Sequence, residues 1–360
     1  MKRRVLTALL AVCLVLALLA FLGREREING EIVEVLQDSG GTVLMLETDR
    51  GRRTGVLLEE NTHIWSWVNG AGEDAFDAES FKVSPPLGCG VSAVCRGLGR
   101  SVETGDGKSV TVRSASYLAV DSIRTPGALT LADGTALDRV DQSSRVCYEL
   151  PEGPLLLWED RAFGPDNVHN GRESFDDLSP RAQERVLAYY EQQGLLYDLQ
   201  GELERAWAAY QAAGRPEDFR GFIVGQQIYP AGSNDRLMYF CTELTLPVEA
   251  GVVESRRLTA AFDRDTGALI DNWDIFTCPP EEAVRTILEL AEPGDTALRG
   301  EMEAAFSPDM LLFGQDGLEV FFPRGSLPSQ EYGCGFYVAY EGPLADILQD
   351  WALPGSPAAG

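Results

Sequence analysis

Hydrophobic positions from residue 28 to residue 123 fall in short runs that alternate with polar positions or cluster β-branched side chains. Residues 30–37 and 42–48 are two such runs, and turn-forming sequences at 38–41 and 49–51 follow them. Short runs at this spacing are typical of β-strands joined by tight turns. They predict a small all-β barrel over residues 28–123.

Residues 124–222 have a different pattern, which predicts a β-hairpin at 128–137 and then two helices. The first helix is predicted to begin at Ser179, a capping residue followed by proline, and to end at Gly194. The second covers about 199–213 and has one apolar face. We expect these helices to form a helical hairpin that packs on one sheet.

Residues 223–354 combine strand and helix patterns. A strand at 237–246 precedes two strands that meet at a turn ending in Gly267, and helical patterns follow from Pro280 to Phe306. Three strand-like runs and a short helix complete this part, before a tail at 355–360. The order predicts an α+β domain with an antiparallel sheet.

An uncharged apolar run at residues 5–23 follows the basic residues 2–4. At about 1.5 Å of rise per residue, such a run is long enough to cross the ~30 Å hydrocarbon core of a bilayer. It predicts a transmembrane signal anchor, with residues 1–4 cytoplasmic and the bulk of the chain extracytoplasmic. The alternative is a cleaved signal peptide and a secreted protein.

The chain carries 56 acidic and 30 basic residues, which gives a net charge of −26. This charge opposes nucleic-acid binding, which depends on Lys and Arg neutralising phosphates, and it favours cationic partners. With 44% hydrophobic residues, the chain is globular rather than disordered. Six cysteines follow the apolar run and permit either three disulfides or buried free thiols: Cys89, Cys95, Cys147, Cys241, Cys278 and Cys334.

Residues 223–354 resemble the C-terminal extracytoplasmic domain, of unknown function, that is shared by the RsiV anti-sigma factor and the PdaC deacetylase. The segments that carry the resemblance are Phe262 to Gly267, Trp273 to Phe276, Gln315 to Phe322 and Gly335 to Tyr340. The resemblance implies an α+β domain without catalytic residues of its own, and a basic protein such as lysozyme as ligand. Because only residues 1–4 precede the apolar run, we expect no sigma-factor-binding domain in this chain.

The N-terminal part resembles the small OB-like barrel modules of exported bacterial proteins. The segments that carry this resemblance are Gly30 to Val33 at the start of the first strand and Thr62 to Ile64 after the third. The fold class expected for the whole chain is an N-terminal transmembrane helix, an all-β OB-like barrel, and an α+β part with a helical hairpin and an antiparallel sheet.

Candidate catalytic residues do not form a recognisable set. Residues 174–180 are similar to a polysaccharide-deacetylase signature, but the two histidines of the metal site that it needs are missing, so a capped helix start explains the segment better. His63 and His169 are the only histidines, and neither lies near a nucleophile motif. Residues 263–267 are similar to part of a calcium loop, but loop position 12, where a glutamate is required, is occupied by Asp274. A β-turn is the better interpretation of this segment.

These observations predict a non-catalytic, extracytoplasmic binding or sensor-type protein of the bacterial cell envelope, with no catalytic, metal or cofactor residues. The expected partner is a basic protein or a cell-wall component, and nucleic acid is not expected. The alternatives are a cell-wall glycan-acting enzyme that uses an Asp/Glu pair and a structural envelope or spore component.

Overall fold

The computed structural model describes residues 25–48, 50–66, 68, 77–104, 107–151, 153–160 and 174–353. The apolar run at 5–23, His169 and the tail at 355–360 lie outside the described residues. The chain divides into two compact units, Met1–Glu152 and Gly153–Gly360, which are described separately.

The first unit is built almost entirely of strands. In chain order its elements are β1 (Arg26–Asp38), β2 (Gly41–Glu47), β3 (Arg53–Leu58), β4 (His63–Ser66), α1 (Ala78–Val83), β5 (Gly90–Glu103), β6 (Ser109–Thr130), β7 (Ala136–Asp141) and β8 (Arg145–Glu149).

Five strands of the first unit close into a ring. β1 pairs antiparallel with β2 and β5, β2 with β3, and β5 with β6, while β3 and β6 are parallel. The parallel pair depends on Gly55, because a Cβ there would lie 2.3 Å from Cγ2 of Val112. β6 then continues beyond the ring to pair with β7, which pairs with β8.

The strands of the ring bury hydrophobic side chains on both faces. One core includes Leu44, Leu46 and Val56, and the opposite faces of the same strands bury Val43 and Met45. Burying one aliphatic side chain of this kind contributes about 1.5–3 kcal/mol. This two-sided burial explains why β2 is hydrophobic at consecutive positions rather than alternating.

The second unit contains two sheets and most of the helices. Its elements are β9 (Leu155–Asp160), α2 (Pro180–Gln193), α3 (Leu199–Ala212), β10 (Phe222–Ser233), β11 (Leu237–Glu249), β12 (Val252–Asp263), β13 (Leu269–Ile270), α4 (Pro280–Ala291), α5 (Thr296–Ala305), β14 (Leu311–Phe313), β15 (Gly317–Phe322), β16 (Cys334–Ala339) and α6 (Pro343–Ile347). Short 3₁₀ turns lie at Phe175–Asp177, Asn272–Ile275 and Pro308–Met310.

The larger sheet of the second unit is mixed. β9 and β10 are parallel, whereas β10, β11, β12 and β13 follow one another antiparallel. β14, β15 and β16 form a separate antiparallel sheet.

Both faces of the larger sheet are covered. On one face Val186 and Tyr190 of α2 pack against Phe240 and Phe262. On the other face Tyr239 belongs to a core that also contains residues of α4, α5, α6 and the smaller sheet. The position of β12 in this sandwich places its C-terminal end next to α2.

The fold class predicted from the sequence is wrong. The described residues form mainly β-structure with large mixed sheets, and none of their helices is both long and apolar enough to cross a membrane. Within residues 223–354 the described strands pair antiparallel, but the larger sheet is mixed because β10 also pairs parallel with β9, where Phe222 lies opposite Leu157, far away in sequence. A local hydrophobic pattern carries no information about such long-range pairing.

Candidate functional site

A cavity of about 270 Å³ opens at the C-terminal end of β12 in the second unit. It combines aromatic, aliphatic and acidic side chains, and we call it the aromatic–acidic cavity. Its lining residues are Tyr189, Thr259, Ala260, Leu269, Ile270, Asp271, Asn272, Trp273, Pro308 and Asp309.

Two aromatic rings of the aromatic–acidic cavity are fixed by their neighbours. The ring of Tyr189 lies 5.2 Å from that of Phe262 at 74°, an edge-to-face contact. The ring of Trp273 lies 5.9 Å from that of Phe276 and 6.3 Å from that of Phe306. The cavity therefore has aromatic walls whose orientation is set before any ligand arrives.

The carboxylates of the cavity have different environments. Oδ1 of Asp271 accepts the backbone N–H of Trp273 at 2.8 Å and thereby caps the 3₁₀ turn that carries this tryptophan. Asp309 makes no hydrogen bond or ion pair within the described chain, but it lies close enough to Tyr189 to act on its titration. Burial first, and then the charge of Asp309, raise the pKa of Tyr189, which keeps this phenol neutral.

Two further polar groups complete the lining. Nδ2 of Asn272 donates to the carbonyl of Pro308 at 3.2 Å and so ties together two walls of the cavity. Oγ1 of Thr259 is buried and has no hydrogen-bond partner in the described part of the chain.

The turn that precedes β13 holds the cavity segment against α2. Oδ1 of Asp263 accepts the backbone N–H and the hydroxyl of Thr266, both at 2.8 Å. Burial alone would raise the pKa of Asp263, but these hydrogen bonds outweigh it and the pKa is lowered. The hydroxyl of Ser179 donates to the carbonyl of Asp265 at 2.7 Å, which joins the turn to the start of the helix. Residues 263–267 thus form the predicted turn between β12 and β13.

A second cavity of about 270 Å³ lies beside Arg257 of β12. The Nη1 atom of Arg257 donates to Oε2 of Glu319 at 3.0 Å, Nη2 lies 3.8 Å from Oε1 of Glu243, and the guanidinium lies 4.7 Å from the ring centre of Phe321. Burial alone would lower the pKa of Arg257, but the two glutamates outweigh it and the pKa is raised. The charge of this arginine is thus largely compensated inside the protein.

The first unit has a cavity of about 490 Å³ where β1 meets β2 and β5. It is acidic and contains no aromatic ring, and its carboxylates come from Glu31, Glu47 and Asp121. Glu47 pairs with Arg53 at 3.3 Å, and Asp121 accepts the hydroxyl of Ser92. Two of the three acids therefore have partners already, which leaves the aromatic–acidic cavity as the better candidate site.

The residues weighed as catalytic candidates are not brought together. Ser174 and Asp177 form a capping box around the 3₁₀ turn, and Ser179 caps α2, which confirms the interpretation of this segment as a capped helix start. The ring of His63 packs 5.5 Å from that of Tyr117 in the first unit. Among the described residues, no group of three or more His, Cys, Asp or Glu side chains could hold a metal ion.

The six cysteines that follow the apolar run are free thiols in this structure, not disulfides. Burial raises the pKa of Cys95 and of Cys147 to about 11, and that of Cys241 to about 12. Thiols with such pKa values are weak nucleophiles at neutral pH. Cys278 and Cys334 are only half-buried.

The site residues were not singled out from the sequence, with the exception of Trp273 in the resemblance. Tyr189, Asp271 and Asp309 come from three separate segments that meet only in the folded chain. The one local signal is the pair Tyr189-Tyr190, which puts two adjacent aromatic rings on the predicted helix. Tyr190 is buried, and its neighbour lines the cavity.

No model of a known protein family and no curated protein matches the chain. Two solved structures that it resembles are bacterial proteins of the DUF3298 family. One, from Pseudomonas aeruginosa PAO1, has 14% identity and a TM-score of 0.32, covering 65% of this chain and 95% of that chain. The other, from Bacteroides fragilis, has 12% identity and a TM-score of 0.34, covering 64% and 93%. At these TM-scores the likeness carries no conclusion about function.

Proposed function

We propose that this chain is a non-catalytic, extracytoplasmic binding protein of the bacterial cell envelope, and that its ligand is a basic protein. The observation that carries the proposal is the aromatic–acidic cavity, in which Tyr189 and Trp273 lie together with Asp271 and Asp309. A Lys or Arg side chain is attracted both by aromatic faces and by carboxylates.

The charge of the chain supports a cationic ligand. A net charge of −26 attracts basic proteins over a distance of about one Debye length, ~8 Å at physiological salt, and accelerates their encounter. Export is supported by the basic residues 2–4 and the apolar run behind them. The resemblances of residues 223–354 to the RsiV and PdaC domain and of the N-terminal part to OB-like modules support the same assignment.

The experiment is a titration of the full-length chain with lysozyme, used as a basic protein probe, at two salt concentrations. Trp273→Ala should weaken binding about tenfold or more, because it removes an aromatic wall, and Asp309→Asn should weaken it by about threefold to tenfold. Glu331→Gln is the matched control for the charge change, because Glu331 is an exposed acid of the same unit outside the cavity.

Two results would refute this function. Binding that survives Trp273→Ala and Asp309→Asn unchanged would place the ligand elsewhere on the chain. Binding that does not weaken with salt would exclude a basic ligand, because attraction between exposed charges is screened. Release of sugars from purified cell-wall glycan by the chain would instead favour the enzyme alternative.

A further inference from the structure

Most of the outer edge of β12 is unpaired. Its inner edge pairs with β11 from Val252 to Asp263, whereas β13 pairs only with Ala261 and Phe262 on the other side. No strand of the described chain pairs with the outer edge between residues 252 and 260. At about 3.3 Å per residue, this open edge is roughly 30 Å long.

Hydrogen bonds at the end of β12 show which residues direct their backbone groups outward. The N–H of Asp263 donates to Ala268 on the β13 side at 2.9 Å, and that of Arg264 donates to Arg236 on the β11 side at 2.8 Å. In an antiparallel strand, successive residues direct their N–H and C=O groups to opposite edges. Within the described chain, odd-numbered residues from 253 to 259 therefore present donors and acceptors without a strand partner at the open edge.

The open edge has no proline, lysine or bulge of its own, although it carries the charged residues Glu254, Arg256 and Arg257. Residues 252–260 contain neither proline nor lysine, and β12 keeps a regular register with β11 from 252 to 263 apart from one bulge on the β11 side. Such an edge is a template for another strand. The side chains of Glu254 and Arg256, which form an ion pair at 3.1 Å, lie on the same face of the strand.

We propose that this edge pairs antiparallel with the same edge of a second copy of the chain, with Ser255 opposite Ser255. In this register Glu254 of each copy lies opposite Arg256 of the other, which gives two symmetry-related pairs of opposite charge. Val253, which is 40% exposed, comes to lie opposite Arg257 of the second copy. The outward groups of residues 253, 255 and 257 then form about six hydrogen bonds across the interface.

Charge selects this register over its neighbours. If the two-fold axis passed through Glu254, Arg256 or Arg257 instead of Ser255, that residue would lie opposite the same residue of the second copy. Like charges directly opposite one another are destabilising. The paired segment 252–258 also ends before Ala261, where β13 occupies the edge. The second copy is therefore the occupant that this edge fits, and the interface is a continuous sheet across a two-fold axis.

The test is the dissociation constant of the dimer, measured by sedimentation equilibrium on the full-length chain in a non-ionic detergent. Ser255→Pro should raise the constant about tenfold or more, because it removes two hydrogen bonds at the two-fold axis. The N–H of Ser255 is not used in the ladder with β11, so proline is compatible with the monomer. Ser255→Ala is the matched control and should leave the constant unchanged.

A charge exchange provides a second test that does not depend on proline. Glu254→Arg and Arg256→Glu should each weaken the dimer, because each places like charges opposite one another. The double variant should restore it to within about threefold of the original constant. A chain that remains monomeric at 100 µM, a Ser255→Pro variant that dimerises normally, or a double variant that fails to recover would each overturn the proposal.

Discussion

Replacing Gly267 by alanine should destabilise the second unit more than the same change at any other glycine of that unit with a positive φ. Gly267 has a φ of +66°, and a Cβ there would lie 2.8 Å from Cα of Ala182 and 2.8 Å from Cβ of Arg185. Alanine in the left-handed region costs about 1–2 kcal/mol. Forcing the turn away from α2 adds about 1–3 kcal/mol of overpacking, so the free energy of unfolding should fall by about 2–5 kcal/mol in total.

The structure offers a matched control for this prediction. Gly325 lies in a turn of the same unit with a φ of +80°, and a Cβ there would meet nothing within 4 Å. Gly325→Ala should therefore lower the free energy of unfolding only by the cost of alanine in the left-handed region, about 1–2 kcal/mol. Both substitutions reduce the conformational freedom of the unfolded chain equally, so this contribution cancels in the comparison.

The assay is guanidinium unfolding followed by tryptophan fluorescence, with the free energies of the two variants compared. Equal losses for Gly267→Ala and Gly325→Ala would refute the reasoning, because they would show that the contact with α2 carries no energy. We also expect Gly267→Ala to weaken lysozyme binding, since the turn leads directly into the cavity segment that contains Asp271 and Trp273.

Three further predictions concern thiols, pH and a buried hydroxyl. Under native conditions at pH 8, a thiol reagent should label Cys278 and Cys334 first, as mass spectrometry of the labelled peptides will show, because these two are half-buried and the other four are buried and shielded from the reagent. The lowered pKa of Asp263 stabilises the fold above pH 3.8, its ordinary pKa, and this stability is lost as the pH falls through the folded-state pKa. The fall in the free energy of unfolding over this pH range, measured with denaturant, should therefore be smaller in Asp263→Asn. Tyr239→Phe should cost about 1–2 kcal/mol in the same assay, because the phenol donates to the buried carbonyl of Ala352 at 2.6 Å.

Local signals in the sequence located the helices of the second unit well. The proline after Ser179 and the glycine at 194 predicted a helix that the structure places at Pro180–Gln193. The predicted helix at 199–213 is observed at Leu199–Ala212. Caps and helix-ending glycines act through neighbouring backbone groups, so they can be recognised without knowledge of the tertiary structure.

Strand pairing and the candidate site depended on contacts that no local signal contains. Residues 109–122 of β6 belong to the closed ring, and residues 123–130 of the same strand pair with β7. The strand is therefore longer than the strands that the hydrophobic pattern predicts. The aromatic–acidic cavity likewise needs α2, the segment after Gly267 and the turn at Pro308–Met310 to meet. The side chains that form it are each ordinary in sequence, and only their proximity suggests a function.

The binding cavity and the dimer edge share β12, but the geometry makes them separable. The cavity uses Thr259 and Ala260 at one end of the strand, whereas the proposed pairing ends at residue 258. Asp309→Asn should therefore leave dimerisation unchanged, and Ser255→Pro should leave the affinity of a single cavity unchanged. A dimer would present two cavities, so loss of dimerisation should reduce only the apparent affinity for surfaces that carry several basic ligands. If Ser255→Pro also lowers the affinity for one lysozyme molecule, the two sites are coupled through β12 and the assignment of separate roles is wrong.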